Sequence, residues 1–335
     1  MISLDGYNSP VARCYFCNGK NFCPHSEATY WLEFPLHFIE CETCRLIFAN
    51  PMPNLQTINE GNRALNIFHQ SRGTLSQYRG GKEFALWLQR IAPEGILLDV
   101  GCAEGFFLLG VEENSNWKAE GVEIIDDAVE FARRRLGITV YHGTLDTLEN
   151  MAGRFDFMRL NNVIEHVQHP VRFLEKAHQL LKPSGRIYCS TPNGFQDGHF
   201  LQTANRRGFK LNLLENHFFY YPPQTLKKIF AACGFKMIAH YSQDISHALN
   251  DFGLLPRFKY PHESQTLNLT AFGKKTNEDF VISDEEIRAF KNHPGLKIWK
   301  LRLNKFRKDF FRLRFPVSLP LGHQQEIYAI KISLF

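Results

Sequence analysis

Four cysteines have the spacing of metal ligands: Cys14-x2-Cys17, then 23 residues, then Cys41-x2-Cys44. Two tight turns of this kind can present four thiolates to one tetrahedral ion, and the spacing predicts a Zn²⁺ site. Four thiolates leave no open coordination position, so the site reads as structural and not catalytic. Cys23, His25 and His37 lie nearby in the chain as substitute ligands. Redox use of the pairs is the alternative, but no thioredoxin-like βαβ context surrounds them. Two further stretches could do chemistry: ILLDVGCAEG at 96–105 and NNVIEHVQHP at 161–170.

The first is a strand running into glycines and then a helix. Without a Cβ the chain can turn tightly there and let a ligand approach the backbone. Such sites lie beyond the carboxyl ends of the strands. A dinucleotide loop would read G-x-G-x-x-G, but Ala103 holds the middle position, and no lysine follows as in a P-loop. A tight turn without a ligand therefore stays open on this motif alone. The next strand ends at Glu123, 24 positions after Asp99. A carboxylate there can accept hydrogen bonds from ribose hydroxyls. No basic cluster stands near the loop to meet a pyrophosphate. Loop and acid together describe a nucleoside cofactor without phosphates.

The elements that must position these residues alternate in type. From Gly95, short apolar runs (ILLDV, WKAEGVE, ITVYH, FDFMRL, GRIYCSTP) alternate with helical stretches such as DDAVEFARRRL and PVRFLEKAHQLL. This pattern implies βαβ units and a parallel sheet. PPQTLKKIFAACG reads as a helix with a glycine cap, FKMIAHYSQ as a strand and EIYAIKIS as the last strand. EFALWLQRI carries a helical stripe before the first strand.

The chain from about 95 to 244 resembles the class I S-adenosylmethionine-dependent methyltransferases. ILLDVGCAEG, GVEIIDDAVEFAR, the run FDFMRLNNVIEHVQHPVRFLEKAHQLLKPSGRIYCSTPN and HFFYYPPQTLKKIFAACGF carry the resemblance. It implies a Rossmann-like α/β fold, with a seven-stranded, mostly parallel sheet and helices on both faces, plus a small N-terminal zinc ribbon. The organisation expected is a ribbon at 1–53, a helical linker or lid at 54–93, and a methyltransferase domain at 94–335 with a basic helical insert at about 245–320. By the same resemblance Asp99, Gly101, Cys102 and Gly105 shape the methionine end of the cofactor pocket. Glu123 holds the ribose, Thr144, Leu145 and Asp146 line the adenine, and Asn161 faces the cofactor amino acid. Ala103 departs from a common glycine but is small enough for binding to survive.

A hydroxyl nucleophile benefits from a general base with a pKa near neutrality. His166 is the first candidate, His217 in ENHFFYY the second, and Glu165 stands beside His166. The alternative is that the Glu-His pair only orders its loop. Some related quinone O-methyltransferases carry an acid three positions before the Glu, proposed to bind a metal. Here that position is Asn162, which argues against a catalytic metal.

Zinc-ribbon modules followed by F-x-N-P-x-P, as in CETCRLIFANPMP, occur before methyltransferase domains resembling enzymes of sugars, polysaccharide precursors or natural products. Between 14 and 53 stand Lys20 and Arg45 against Glu27, Glu33, Glu40 and Glu42. A phosphate-tracking surface wants the opposite sign, so a small-molecule or glycan acceptor is favoured over RNA. An RNA methyltransferase and a non-catalytic binding protein on the same fold remain the two alternatives. The net charge of +5 is mild for a nucleic-acid binder. Residues 287–315 hold ten Lys or Arg against Asp309 alone, with Trp299, Leu303, Phe306, Phe310 and Leu313 on one helical face. That segment reads as a helix packed on the domain, or as an interfacial helix meeting anionic lipid or a lipid-linked substrate. MISLDGYNSP has neither a basic nor an apolar leader region, no run approaches a membrane span, and the cysteines form no secreted framework. The expectation is a cytoplasmic protein, with contact to the inner membrane face through the basic segment. The sequence fixes no oligomeric state.

Overall fold

The computed structural model describes residues 6–31, 34–58, 60–61, 74–206, 208, 211–213, 216–243, 315–316 and 324–332. The basic segment 287–315 lies outside the described residues except for Phe315, which belongs to a two-residue strand.

The chain opens with three strands, β1 (Phe22–Trp31), β2 (Phe34–Cys41) and β3 (Ile47–Ala49). Helix α1 (Thr74–Ile91) leads into β4 (Glu94–Val100), α2 (Phe106–Glu112), β5 (Asn116–Glu123), α3 (Asp126–Phe131) and β6 (Val140–His142). Then come β7 (Phe155–Asn161), α4 (Pro170–Leu180), β8 (Leu181–Pro192) and α5 (Gly194–Arg206). Two short strands, β9 (Leu211–Leu213) and β10 (Phe219–Tyr220), precede α6 (Pro223–Ala232) and β11 (Phe235–Gln243). Strands β12 (Phe315–Pro316) and β13 (Gln324–Lys331) complete the described chain.

The main sheet has the order β12-β11-β13-β8-β7-β4-β5-β6. Seven strands of three to twelve residues are joined by the two-residue β12, so the sheet has one strand beyond the seven expected. Strands β6, β5, β4, β7 and β8 pair in parallel, while β13 and β11 pair antiparallel. The sheet is therefore mixed. The last strand, β13, inserts between β8 and β11 and pairs antiparallel with both.

Side chains alternate between the two faces of a strand, and the buried residues divide accordingly. Leu97 and Phe157 join Leu88, Phe107 and Trp117 under α1 and α2, while their neighbours Leu98 and Met158 join Leu174, Ile229 and Phe230. Helices α1 and α2 touch through glycines: a Cβ on Gly110 would lie 2.2 Å from the Tyr78 carbonyl. In α4 the buried Pro170, Leu174, Ala177 and Leu180 recur at helical spacing, which seats one stripe on the sheet.

The small sheet, of order β10-β3-β2-β1-β9, is not confined to the first fifty residues. Thr29–Trp31 pair in parallel with Leu211–Leu213, and Ile47–Phe48 pair antiparallel with Tyr220–Phe219. Both of its faces are packed: Trp31 and Phe38 lie on one and Phe48, opposite Ile39, on the other, and all three share one core with the α4/α6 side of the main sheet.

Candidate methyl-transfer site

After β4 the backbone enters the left-handed region three times, at Gly101 (φ 68°), Ala103 (φ 49°) and Gly105 (φ 81°). Glycine takes this conformation without steric cost, and alanine does not. The loop is tied to β5, for Gly101 N–H donates to the Val122 carbonyl at 2.8 Å and Ala103 N–H to Glu123 Oε2 at 2.9 Å. Glu123 Oε1 accepts from Ile124 N–H at 2.8 Å and Ile125 N–H at 3.1 Å. Gly143 N–H donates to the Glu123 carbonyl, which brings the loop after β6 to the same place. Glu123 thus joins the glycine loop to the 143–147 turn. Its Oε2 accepts one amide here, and a carboxylate oxygen has two lone pairs. Burial pushes its pKa up, opposed by the three amide hydrogen bonds.

The other expected residues fall around this junction. Thr144 caps the turn Leu145–Thr147, its Oγ1 accepting from Asp146 N–H. Leu145 is buried, and Asp146 is exposed 4.0 Å from Arg172. Asn161 ends β7, half-buried. Cys102 points its side chain inward, against Gly121, where a Cβ would lie 2.4 Å from its sulfur. Burial holds this thiol well above its ordinary pKa, so it stays neutral. Asp99, 1% exposed, accepts a hydrogen bond from Arg159 Nη1 at 2.8 Å. Burial raises the pKa of Asp99 and the guanidinium opposes it. Arg159 also lies 3.8 Å above the Phe107 ring, binding β7 to α2.

The Glu-His pair occupies a single helical turn, Ile164–His166, after β7. Glu165 is fully buried, and its Oε2 accepts from the Thr191 hydroxyl at 2.9 Å. His166 Nδ1 lies 2.9 Å from the Asn216 carbonyl, and its Nε2 lies 4.0 Å from Glu165 Oε1. The His166 and His217 rings are 5.0 Å apart. The structure therefore brings all three candidate residues together.

With this geometry in view, the chain from 75 to 240 matches the family model described as a methyltransferase domain. Residues 75–240 form a methyltransferase domain. The ubiquinone biosynthesis O-methyltransferase of Ruegeria pomeroyi is 34% identical over 102 residues, 29% of this chain and 41% of the relative. The corresponding enzyme of Coxiella burnetii is 28% identical over 102 residues, 29% of this chain and 43% of that protein. An uncharacterized 37.1 kDa transposon protein of Streptomyces fradiae is 31% identical over 107 residues, 30% of this chain and 31% of its own length. The chain thus covers well under half of these relatives. Among solved structures, a SAM-dependent methyltransferase from Thermotoga maritima superposes with a TM-score of 0.45 at 16% identity, over 83% of this chain and 97% of that one. One from Archaeoglobus fulgidus gives 0.42 at 17%, over 75% and 94%.

The methyltransferase domain is flanked by the cysteine cluster. The sulfurs of Cys14 and Cys44 are 3.5 Å apart, as are those of Cys17 and Cys41, and all four lie within 4.8 Å of one another. Tetrahedral zinc with Zn–S of 2.3 Å separates its sulfurs by about 3.8 Å, so the four residues fit that ion. The thiol of Cys14 is lowered to about 5 by the hydrogen bond from Cys44. His25 stands outside this cluster, held by Gly198 and Glu40, and Cys23 donates to the Glu40 carbonyl.

Sequence reasoning passed over Arg159, Thr191 and Asn216. Arg159 had a signal, a cation between the apolar Met158 and Leu160 of the strand FDFMRL, which pairing places opposite Asp99. The other two had none.

Proposed function

We propose that this protein moves a methyl group from S-adenosylmethionine to a hydroxyl of a sugar or related small metabolite, such as a cell-surface polysaccharide precursor. The observation that carries the cofactor assignment is Glu123, buried at the end of β5 and bonded to both the glycine loop and the 143–147 turn. In this reading the backbone of 101–105 meets the methionine portion and Glu123 Oε2 takes a ribose hydroxyl. Thr144, Leu145 and Asp146 border the adenine, and Asn161 meets the amino-acid end. Asp99 and Cys102 act from behind, fixing the loop by ion pairing and packing. The cofactor supplies an electrophilic methyl on a sulfonium. His166 Nε2 takes the proton of the acceptor hydroxyl, and Glu165 orients His166 and stabilises the imidazolium formed. Positioning provides most of the remaining rate. The four cysteines hold a structural zinc. The excess of glutamate over lysine and arginine between 14 and 53 supports a glycan or small-molecule acceptor over RNA.

Calorimetric titration with S-adenosylhomocysteine tests the cofactor site. The wild type should bind with micromolar affinity, about −8 kcal/mol, and Glu123→Ala should lose most of it. A wild type that shows no heat of binding would remove the reading altogether.

A further inference from the structure

We infer that Glu165, His166 and His217 are the protein ligands of a second, divalent metal ion, distinct from the four-cysteine site. One donor atom from each lies within 4.8 Å of the other two. An ion bound to N and O ligands at about 2.1 Å separates neighbouring donors by about 3.0–3.4 Å. Small side-chain rotations close that difference. Asn162, the position at which quinone enzymes place an acid, is not in this set: its side-chain oxygen accepts from Gln324. The third donor comes instead from a segment far along the chain.

The surroundings of the three donors match those of a ligand set. A carbonyl oxygen only accepts, so the 2.9 Å contact with Asn216 puts the proton of a neutral His166 on Nδ1 and the lone pair on Nε2. That lone pair is on the side of Glu165 Oε1. The second carboxylate oxygen of Glu165 is held by Thr191. Orientation of a ligating histidine by a backbone carbonyl, and of a ligating carboxylate by a hydroxyl, is what outer-shell groups do at metal centres. The two segments are also fastened to each other. Phe218 N–H donates to the Glu165 carbonyl at 2.9 Å, and the Tyr221 hydroxyl donates to the Ile164 carbonyl at 2.9 Å. Two imidazoles and one carboxylate suit Zn²⁺, Co²⁺, Fe²⁺ or Mn²⁺ more than Mg²⁺ or Ca²⁺. Three protein ligands leave coordination positions open, unlike the four-cysteine site.

The inference rests on the proposed reaction only for what the ion does. An acceptor hydroxyl bound at an open position loses its proton to water more readily, and the resulting oxygen forms the O–CH₃ bond as the S–CH₃ bond breaks. His166 is then a ligand and no longer the base: the ion lowers the pKa of the bound hydroxyl, and water takes the proton.

The test uses full-length protein with its cysteine site preloaded with zinc, titrated with Co²⁺ by calorimetry and absorption. The expected result is one further equivalent bound, with weak visible bands and no near-ultraviolet thiolate charge-transfer band. His217→Gln and His166→Gln, each removing a ligand, should each weaken Co²⁺ binding by more than the roughly 10–100-fold that loss of an outer-shell partner costs, with the zinc content unchanged. No further equivalent, a thiolate signature alone, or wild-type affinity in both variants would overturn the proposal. S-adenosylhomocysteine binding, measured on the same samples, separates the two ideas. Homocysteine-nucleoside binding without Co²⁺ binding sinks the metal site alone. Co²⁺ binding without it leaves the site standing and sinks the methyl-transfer reading.

Discussion

Two residues show how the glycine loop is held, and each can be tested singly. Ala103 stands at φ 49°, where a Cβ crowds the following carbonyl. Ala103→Gly removes that conflict at some cost in unfolded-chain entropy. It should raise stability by up to about 1 kcal/mol, read as a higher denaturation midpoint, without loss of S-adenosylhomocysteine affinity. A lower midpoint would mean that the alanine methyl makes a contact worth more than its strain. Arg159 is the opposite case. Its guanidinium neutralises Asp99, which is buried to 1% exposure, and covers Phe107. Arg159→Met leaves a buried carboxylate without its cation, a change that costs about 3–5 kcal/mol. Adding Asp99→Asn should recover part of that loss in urea unfolding, because the uncompensated charge disappears. If the double variant were as unstable as the sum of the two singles, the ion pair would not be the cause. Asp99 was legible as a strand-end acid, but its partner was not, since partnership depends on the β4–β7 register and no local pattern fixes it.

At the scale of elements, most strands and helices between 94 and 192 could be read from sequence because they are long enough to show their own period, and the three-residue β6 because it falls in the regular alternation of strands and helices. The small sheet could not. Strands β9 and β10 have three and two residues, and their partners β1 and β3 lie far away in the chain. This hidden pairing has a functional consequence. The segment 216–221 is held on one side by the small sheet, through Ala49 N–H to the Phe218 carbonyl and the pairing of Phe48 with Phe219. On its other side it holds Glu165 and His166, through Phe218 N–H and the Asn216 carbonyl. The cysteine site joins the same assembly, because the Cys44 carbonyl accepts from the Thr225 hydroxyl on α6. Cys44→Ser, which breaks the proposed zinc site without altering Glu165, His166 or His217, should therefore act on turnover more than on cofactor binding. A misplacement of about 1 Å at reacting groups costs on the order of 100-fold in rate. The expected outcome is a large fall in kcat with S-adenosylhomocysteine affinity nearly preserved. Equal losses in both would show that the cysteine site only supports the fold.

At the scale of the whole molecule, the reading of 1–53 as a separate ribbon meets a shared core. Trp31 and Phe218 have ring centroids 5.5 Å apart, Phe38 and Tyr220 5.3 Å, and Phe48 and Phe219 6.1 Å. In each pair one ring comes from the N-terminal strands and the other from the segment that follows α5. Fully burying a large apolar side chain contributes about 1.5–3 kcal/mol. A net stability of about 5–15 kcal/mol cannot absorb several such losses. A chain beginning at residue 54 would expose Phe218, Phe219 and Tyr220 along with the unpaired edges of β9 and β10. It should be insoluble or partly unfolded, with a diminished circular dichroism signal. The intact protein should lose tryptophan fluorescence and far-ultraviolet dichroism in one coincident transition, because a shared core couples the two sheets into one cooperative unit. Two well-separated transitions, or a soluble truncated chain that binds S-adenosylhomocysteine as the full chain does, would show that the aromatic contacts join two independently stable bodies. The hold of the small sheet on Glu165 and His166 would then be incidental to their placement.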